Sequence, residues 1–506
     1  MFTHIRSAAL KGIESIPITI EIDASPMGLP GEAIVGLPDT VIRESKNRIK
    51  AAIKNSDLQY PMRFYTINLA PADLPKVGAY YDLPIALGIL AATDQIKVPE
   101  DTLFVGELSL DGCLRPIKGL ISICHMAAQL GLKNIIFPSD NQEEASLIEG
   151  VNRYPIKDLK EAINWLKHPE TFLPLCTQTL PKHLDEHPNF EDVKGQLIAK
   201  RALEIAATGH HNVLLIGPPG SGKTMLLKRL IGILPELSSE QAIETYKIHS
   251  ISGKIKSSQP PRFQRPFRSP HHTISYAGMV GGGPNPLPGE ISLAHHGILF
   301  LDELPEFPRT VLEVLRQPLE SHSITISRAQ ASIDYPARFL MIAAMNPCPC
   351  GHYQDKAVRC TCKPEQIKKY WKKRSGPVLD RIDLILEVPR LQKGDLFDTT
   401  TPQDNFYSTE KIKHRVEAGR LRQYLRYNNT CNADLSPKQI EHVCQVDPVT
   451  QTLLETSLEK GFITGRSFHK VLKVARTIAD LDHCDDILHS HILEALRYRR
   501  GIKLLV

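Results

Sequence analysis

The stretch Gly217-Pro218-Pro219-Gly220-Ser221-Gly222-Lys223-Thr224, directly behind the apolar run Asn212 to Ile216, constrains this chain more than any other feature. Its glycines let the backbone turn so that successive N–H groups surround an anion, and the helix expected next presents its positive N-terminal end. A lysine and a hydroxyl residue closing such a loop are the groups that reach the β- and γ-phosphates and ligate magnesium. The pattern therefore demands a buried strand, a loop and a helix in that order. With them come a parallel sheet covered by helices and a nucleotide, ATP with Mg2+.

Two more apolar runs, GILFLDE ending at Glu303 and FLMIAAMN ending at Asn346, fit neighbouring strands of that sheet. An apolar strand that ends in acids puts carboxylates at the sheet edge where ligands bind, so Asp302 would orient magnesium and Glu303 the attacking water. Asn346 is placed to hold that water or the γ-phosphate, or else forms a turn before Pro347. Arg381, within Gly376-Pro377-Val378-Leu379-Asp380-Arg381-Ile382-Asp383, is either a finger on a neighbouring subunit's γ-phosphate or a salt-bridge partner of Asp380 or Asp383.

A chain of 506 residues exceeds one hydrophobic core, and its 42% hydrophobic and 23% charged residues are those of a globular protein. No run of about 18 apolar residues and no signal-peptide core appears, which predicts a cytoplasmic protein with no membrane partner. Residues 1–168 alternate β-rich and helical stretches as an α/β unit, and the proline-punctuated residues 169–188 read as a linker. Residues 189–395 form the nucleotide-binding core, and residues 396–506 turn helical, with periodic segments at 409–427, 436–445, 449–460 and 467–480. The net charge of +5 neither demands nor excludes nucleic acid. Positive charge concentrates in 368–374 (KKYWKKR) and 411–426, where a solvated helix face is the plain alternative.

Of ten cysteines, Cys348, Cys350, Cys360 and Cys362 are clustered. Four thiolates satisfy tetrahedral zinc, and small loops without a core need such a staple, so a structural Zn2+ is expected, with His352 in reserve and reduced thiols as the alternative.

The phrases RPFRSPHHTISYAGMVGGGPNPLPGEISLAHHGILFLDELPEF, AAMNPCPCGH, SGPVLDRIDL and TGRSFHKVLKVARTIADL resemble the magnesium-chelatase-like AAA+ ATPases of the ComM/YifB group nearly end to end. The resemblance implies Walker A at Lys223, Walker B at Asp302 and Glu303, sensor 1 at Asn346, an arginine finger at Arg381 and a sensor 2 arginine at Arg466 on a C-terminal helical lid. It implies a homo-oligomeric ring, usually a hexamer. It also implies a helicase acting on single-stranded and branched DNA, driving branch migration in natural transformation beside recombination proteins. Magnesium chelatase subunits share the core, which keeps open a chelatase-like ATPase that remodels a protein partner.

The N-terminal segment is similar to the α/β proteolytic domain of Lon-type proteases, whose fold is related to a ribosomal-protein fold. Such peptidases use a serine and a lysine, and the phrases align Tyr80 and Ile123 with them, so the domain is expected to be inactive and to serve ring assembly or binding. The resemblance places a pore hairpin at Ser327 to Arg338, offering Arg328 and Arg338 for phosphate contact. A pore-proximal insertion at 262–283 adds Arg262, Arg265, Arg268, His271 and His272; subunit interfaces are the alternative use of these arginines.

Overall fold

The computed structural model describes residues 2–26, 29–177, 188–255, 264–283, 285–328, 331–355, 357–373, 376–390, 406–461 and 463–500. The chain divides into two compact units. The first is Met1–His183 together with Ser238–Phe263 and Ser327–Ile333; the second is Leu184–Leu237, Gln264–Ile326 and Asp334–Val506.

The first unit is built on a seven-stranded sheet in the order Gly31–Val35, Phe64–Ala70, Glu14–Ser25, Phe2–Lys11, Thr102–Phe104, Asn134–Pro138, Asn152–Ile156. Alternation explains the long strand Glu14–Ser25, which buries Ile18, Ile20, Ile22 and Ala24 on one face. Helix Thr40–Asn55 starts where the Asp39 carboxylate accepts from Ile42 N at 2.8 Å, and it buries Ile42, Ile49, Ala52 and Ile53 at helical spacing. Helix Asp82–Ala91 is buried almost all round, as its unbroken apolar sequence requires. Helix Ser239–Ile251 packs in this unit too, Ser250 Oγ accepting from Gly119 N at 2.7 Å.

The second unit holds a five-stranded sheet in the order Phe267–Arg268, Ile298–Leu301, Leu340–Met345, Val213–Ile216, Leu384–Glu387, every pairing parallel. Its three expected strands are all present, and each is wholly buried, which is why they read as continuous apolar runs. The helical C-terminal region follows as Thr409–Arg426, Pro437–Val443, Pro448–Glu459, Gly465–Leu481 and His489–Arg500. Its Ile412, Val416, Val471, Ala475 and Ile478 share one core with the sheet's Val213, Leu215 and Leu384. Among the described residues no helix is long and apolar enough to cross a membrane.

Candidate functional site

The loop Gly217–Gly222 leaves strand Val213–Ile216 and turns into helix Lys223–Ile233. Gly220 and Gly222 take φ of +74° and +85°, the left-handed region that makes glycine the natural choice there. Lys223 Nζ donates to Gly217 O at 2.8 Å, to Pro218 O at 2.9 Å and to Asn346 Oδ1 at 3.4 Å. Burial draws the Lys223 pKa down, and the nearby charge of Asp302 opposes this. The structure therefore brings Lys223, Asn346 and Asp302 together at the carboxyl edge of the sheet, with Ser221 buried and the Thr224 side chain exposed.

Two contributors went unseen in the sequence. Gln196, itself in a left-handed conformation ahead of helix Leu197–Gly209, donates through Nε2 to Ser221 O at 2.5 Å and braces the loop. His272, read as a pore-proximal residue, instead lies with Nδ1 at 3.2 Å from Glu303 Oε2, its ring stacked on His271 at 4.1 Å between centroids. Glu303 adopts φ +54°, a strained choice for a non-glycine residue of the kind found at functional sites. No local pattern announces either contact; both arise from tertiary packing.

Arg381 lies elsewhere. It precedes strand Leu384–Glu387, whose parallel register sets Leu384 beside Val213 and Glu387 beside Ile216. Arg381 is thus at the amino edge of the sheet and the nucleotide loop at the carboxyl edge, four strand residues or roughly 13 Å away at about 3.3 Å per residue. Its guanidinium pairs with Glu320. Asp383 is held by Lys470 at 2.8 Å and His211 at 3.3 Å, which keep its carboxyl well below the usual range despite burial. Helix Gly465–Leu481, which carries Arg466, is anchored at this same edge because Lys470 Nζ also donates to Ile382 O at 3.1 Å. The Arg466 side chain lies outside the described residues.

Cys348, Cys350, Cys360 and Cys362 converge, all four sulfurs within 4.8 Å of one another. Cys348 and Cys350 Sγ are 3.3 Å apart, Cys348 and Cys360 3.7 Å, and Cys350 and Cys360 3.5 Å. Tetrahedral zinc at about 2.3 Å from each sulfur would put them about 3.8 Å apart, so the donor set and spacing fit that ion. Although burial pushes its thiol up, N–H groups of His352 and Thr361 bring Cys350 down, while burial and the neighbouring Cys350 push Cys348 up. His352, held in reserve as a ligand, stands outside this cluster, with its Nδ1 facing Asp355 at 3.1 Å. The knuckle abuts the nucleotide loop, since a Cβ on Gly351 (φ +82°) would fall 2.5 Å from Pro219 Cδ.

The arginines expected to meet DNA fare differently. Arg268 is engaged by both Glu290 oxygens at 2.6 Å, and Arg265 by the carbonyls of Pro235 and His296. Arg338 binds Asp434 at 2.6 Å. These guanidiniums are engaged within the chain, and Arg268 and Arg338 are each ion-paired with an acid. Arg328 sits on strand Ser323–Arg328 of a two-stranded hairpin with Ala331–Pro336; its side chain, and Arg262 altogether, lie outside the described residues.

In the first unit, the positions aligned with a protease serine and lysine hold no nucleophile. Ile123 is fully buried, and the Tyr80 ring packs against Tyr81 with centroids 5.6 Å apart.

Comparison with known proteins agrees with this geometry. Residues 189–396 match the family described as Magnesium chelatase, subunit ChlI, residues 20–141 the Subunit ChlI of Mg-chelatase, and residues 407–499 its C-terminal part. The chain is 47% identical to the protein YifB of Escherichia coli (strain K12), covering 99% of this chain and 97% of that one. It is 44% identical to Competence protein ComM of Haemophilus influenzae, covering 99% and 98%. A shorter likeness, 28% over 116 residues, or 23% of this chain and 20% of the other, is to Lon protease 2 of Bacillus subtilis. With its loop, its paired carboxylates and its lid in these places, the chain belongs to the ComM/YifB group of magnesium-chelatase-like AAA+ ATPases.

Proposed function

We propose that this chain is a ring-forming, ATP-driven DNA motor that moves branched recombination joints during natural transformation. The observation that carries the ring is the division of the site: Lys223, Asp302, Glu303 and Asn346 gather at one sheet edge while Arg381 sits at the other. An arginine so placed is out of reach of its own chain's nucleotide and is free to serve a neighbouring copy's, and copies joined head to tail through unlike surfaces would close into a ring, here a hexamer. The DNA substrate is supported by 44% identity to a protein named for competence.

In this reading Lys223 offsets the phosphate charge, and Thr224 and Asp302 would hold the magnesium that neutralises charge building on the β- and γ-oxygens. Glu303 orients the attacking water and takes its proton, Asn346 positions that water or the γ-phosphate, Arg381 acts from the adjoining subunit, and Arg466 serves as the sensor 2 arginine of the lid. The four cysteines would hold one structural Zn2+ that fixes the knuckle against Pro219.

A second reading, an ATPase that remodels a protein partner, is favoured by the chelatase description matched over residues 189–396. ATP turnover by the purified protein, measured with and without single-stranded and forked DNA, separates the two. Stimulation by DNA is expected; turnover that answers only to a protein partner would move the assignment to the second reading.

A further inference from the structure

Two basic segments that look alike in sequence part company in the structure. In helix Thr409–Arg426 the charges are spent internally. Arg415 pairs with Glu204 at 2.5 Å, Arg426 with Asp480 at 2.6 Å, Arg422 with Asp485 and Lys413 with Glu236 at 3.5 Å, while Arg420 donates to Ala207 O at 2.7 Å. Around helix Pro364–Lys372 the reverse holds. Arg359, Lys363, Lys368, Lys369 and Lys372 are exposed, and among the described residues none of them has an ion-pair partner. Lys373 alone meets an acid, Glu306 at 3.4 Å.

Packing fixes which way this helix faces. Tyr370 and Trp371 are buried, and Trp371 Nε1 donates to Pro347 O at 2.8 Å, next to the cysteine knuckle. Lys368 and Lys372, one turn apart, are left on the outer side, where like charges at that spacing repel. The negative C-terminal end of the helix accounts for Lys369 and Lys372, and Glu365 in the first turn stands three and four residues before Lys368 and Lys369, but neither accounts for Lys363, which caps the positive N-terminal end where cations are disfavoured. Helix stability therefore leaves Lys363 and the exposed Arg359 unexplained.

We infer that the cysteine knuckle and the outer face of helix Pro364–Lys372 form a nucleic-acid contact that grips the phosphate backbone through Arg359, Lys363, Lys368, Lys369 and Lys372. The inference deepens the DNA-motor reading and rests on it. Both aromatic residues of the helix face inward, so this face has no platform for stacking bases and its grip is independent of sequence. It also replaces Arg268 and Arg338, whose guanidiniums are taken, as the cationic surface that DNA would find.

The test compares the full-length protein with a triple variant, Lys368→Gln, Lys369→Gln and Lys372→Gln, and a charge-keeping triple with Arg at the same positions. Affinity for a single-stranded oligonucleotide is measured across a salt series, with DNA-free ATP turnover and zinc content read alongside as checks on folding. Every phosphate that the protein no longer neutralises should flatten the slope of log affinity against log salt by about 0.7, so the Gln triple should lose roughly two units and the Arg triple none. Unchanged slope in the Gln triple overturns this surface while leaving the motor reading intact, and so does equal loss in a folded Arg triple. Displacement of the DNA by polyglutamate at equal charge would assign the surface to an acidic protein and overturn it as well. A wild-type protein that binds no DNA overturns the motor reading and this inference together.

Discussion

The ATPase unit and the N-terminal unit are both sheets covered by helices, and each has a place where family likeness locates chemistry. In the ATPase unit that place holds polar groups whose burial is costly. The Lys223 ammonium is drawn below its ordinary pKa by burial, and Glu303 keeps a left-handed backbone. In the N-terminal unit the corresponding places hold Tyr80, stacked on Tyr81, and Ile123, wholly buried in an apolar cluster with Leu120 and Cys124. Each of these replacements adds to a core and subtracts a reactive group. The difference teaches that one kind of scaffold can carry a reactive site or fill the same places with core, because sheet register and helix packing do not depend on that site.

The comparison breaks most decisively at the ATPase unit's divided site. Arg381→Ala is expected to cut ATP hydrolysis by about 10³-fold or more with nucleotide binding retained. Mixing Arg381→Ala subunits with Glu303→Gln subunits should then restore part of the activity, since some interfaces pair an intact Glu303 with an intact Arg381. Mixed rings with proven subunit exchange and no gain over the two pure variants would return Arg381 to a local role beside Glu320. Next in size, Glu303→Gln should bind ATP normally and turn it over roughly 10²-fold more slowly, the usual scale of a lost general base. A wild-type rate would remove Glu303 from the mechanism. Smaller again is the metal: anaerobically purified protein should carry about one zinc per chain, as a four-cysteine site requires, and Cys360→Ser should lower that content. A folded, active protein free of metal would mean that the knuckle stands on thiols alone.

What was legible in advance follows the same divide. The loop Gly217–Thr224, the strand ending at Asp302 and the strand ending at Asn346 are contiguous, so their chemistry is written along the chain. The lid helices were readable because their apolar periodicity survives packing; Gly465–Leu481 differs from its expected bounds by two residues at the start and one at the end. Contacts made across the fold were not readable. Gln196 beneath Ser221, His272 on Glu303, and the acids that neutralise Arg268 and Arg338 are brought together only by the sheet. Strand Phe2–Lys11 is hard to read for another reason. It lies inside the sheet and buries Ser7, Ala8 and Ala9 in succession, which blurs the alternation that marks a half-exposed strand.

The smallest expected effect lies in the N-terminal unit and asks whether Glu144, one of its two buried acids beside Asp82, serves stability or chemistry. Glu144 is buried, its carboxyl facing Asn141 Nδ2 at 3.1 Å, and burial pushes its pKa up to about 8. An ordinary glutamate in the unfolded chain titrates near 4.3, so the folded form binds the extra proton over the interval between the two values. The contribution to stability is then fully present below about pH 4.3 and is lost as pH rises towards 8. Glu144→Gln keeps the shape and a neutral amide in place of the protonated acid. The wild-type unit should lose several degrees of melting temperature between pH 5 and pH 8.5, a loss that Glu144→Gln largely removes, with ATP turnover at pH 7.5 the same in both proteins. Equal pH dependence in the two proteins would show that Glu144 is ionised in the fold, and a fall in ATP turnover would give this unit a part in the reaction that its filled site denies.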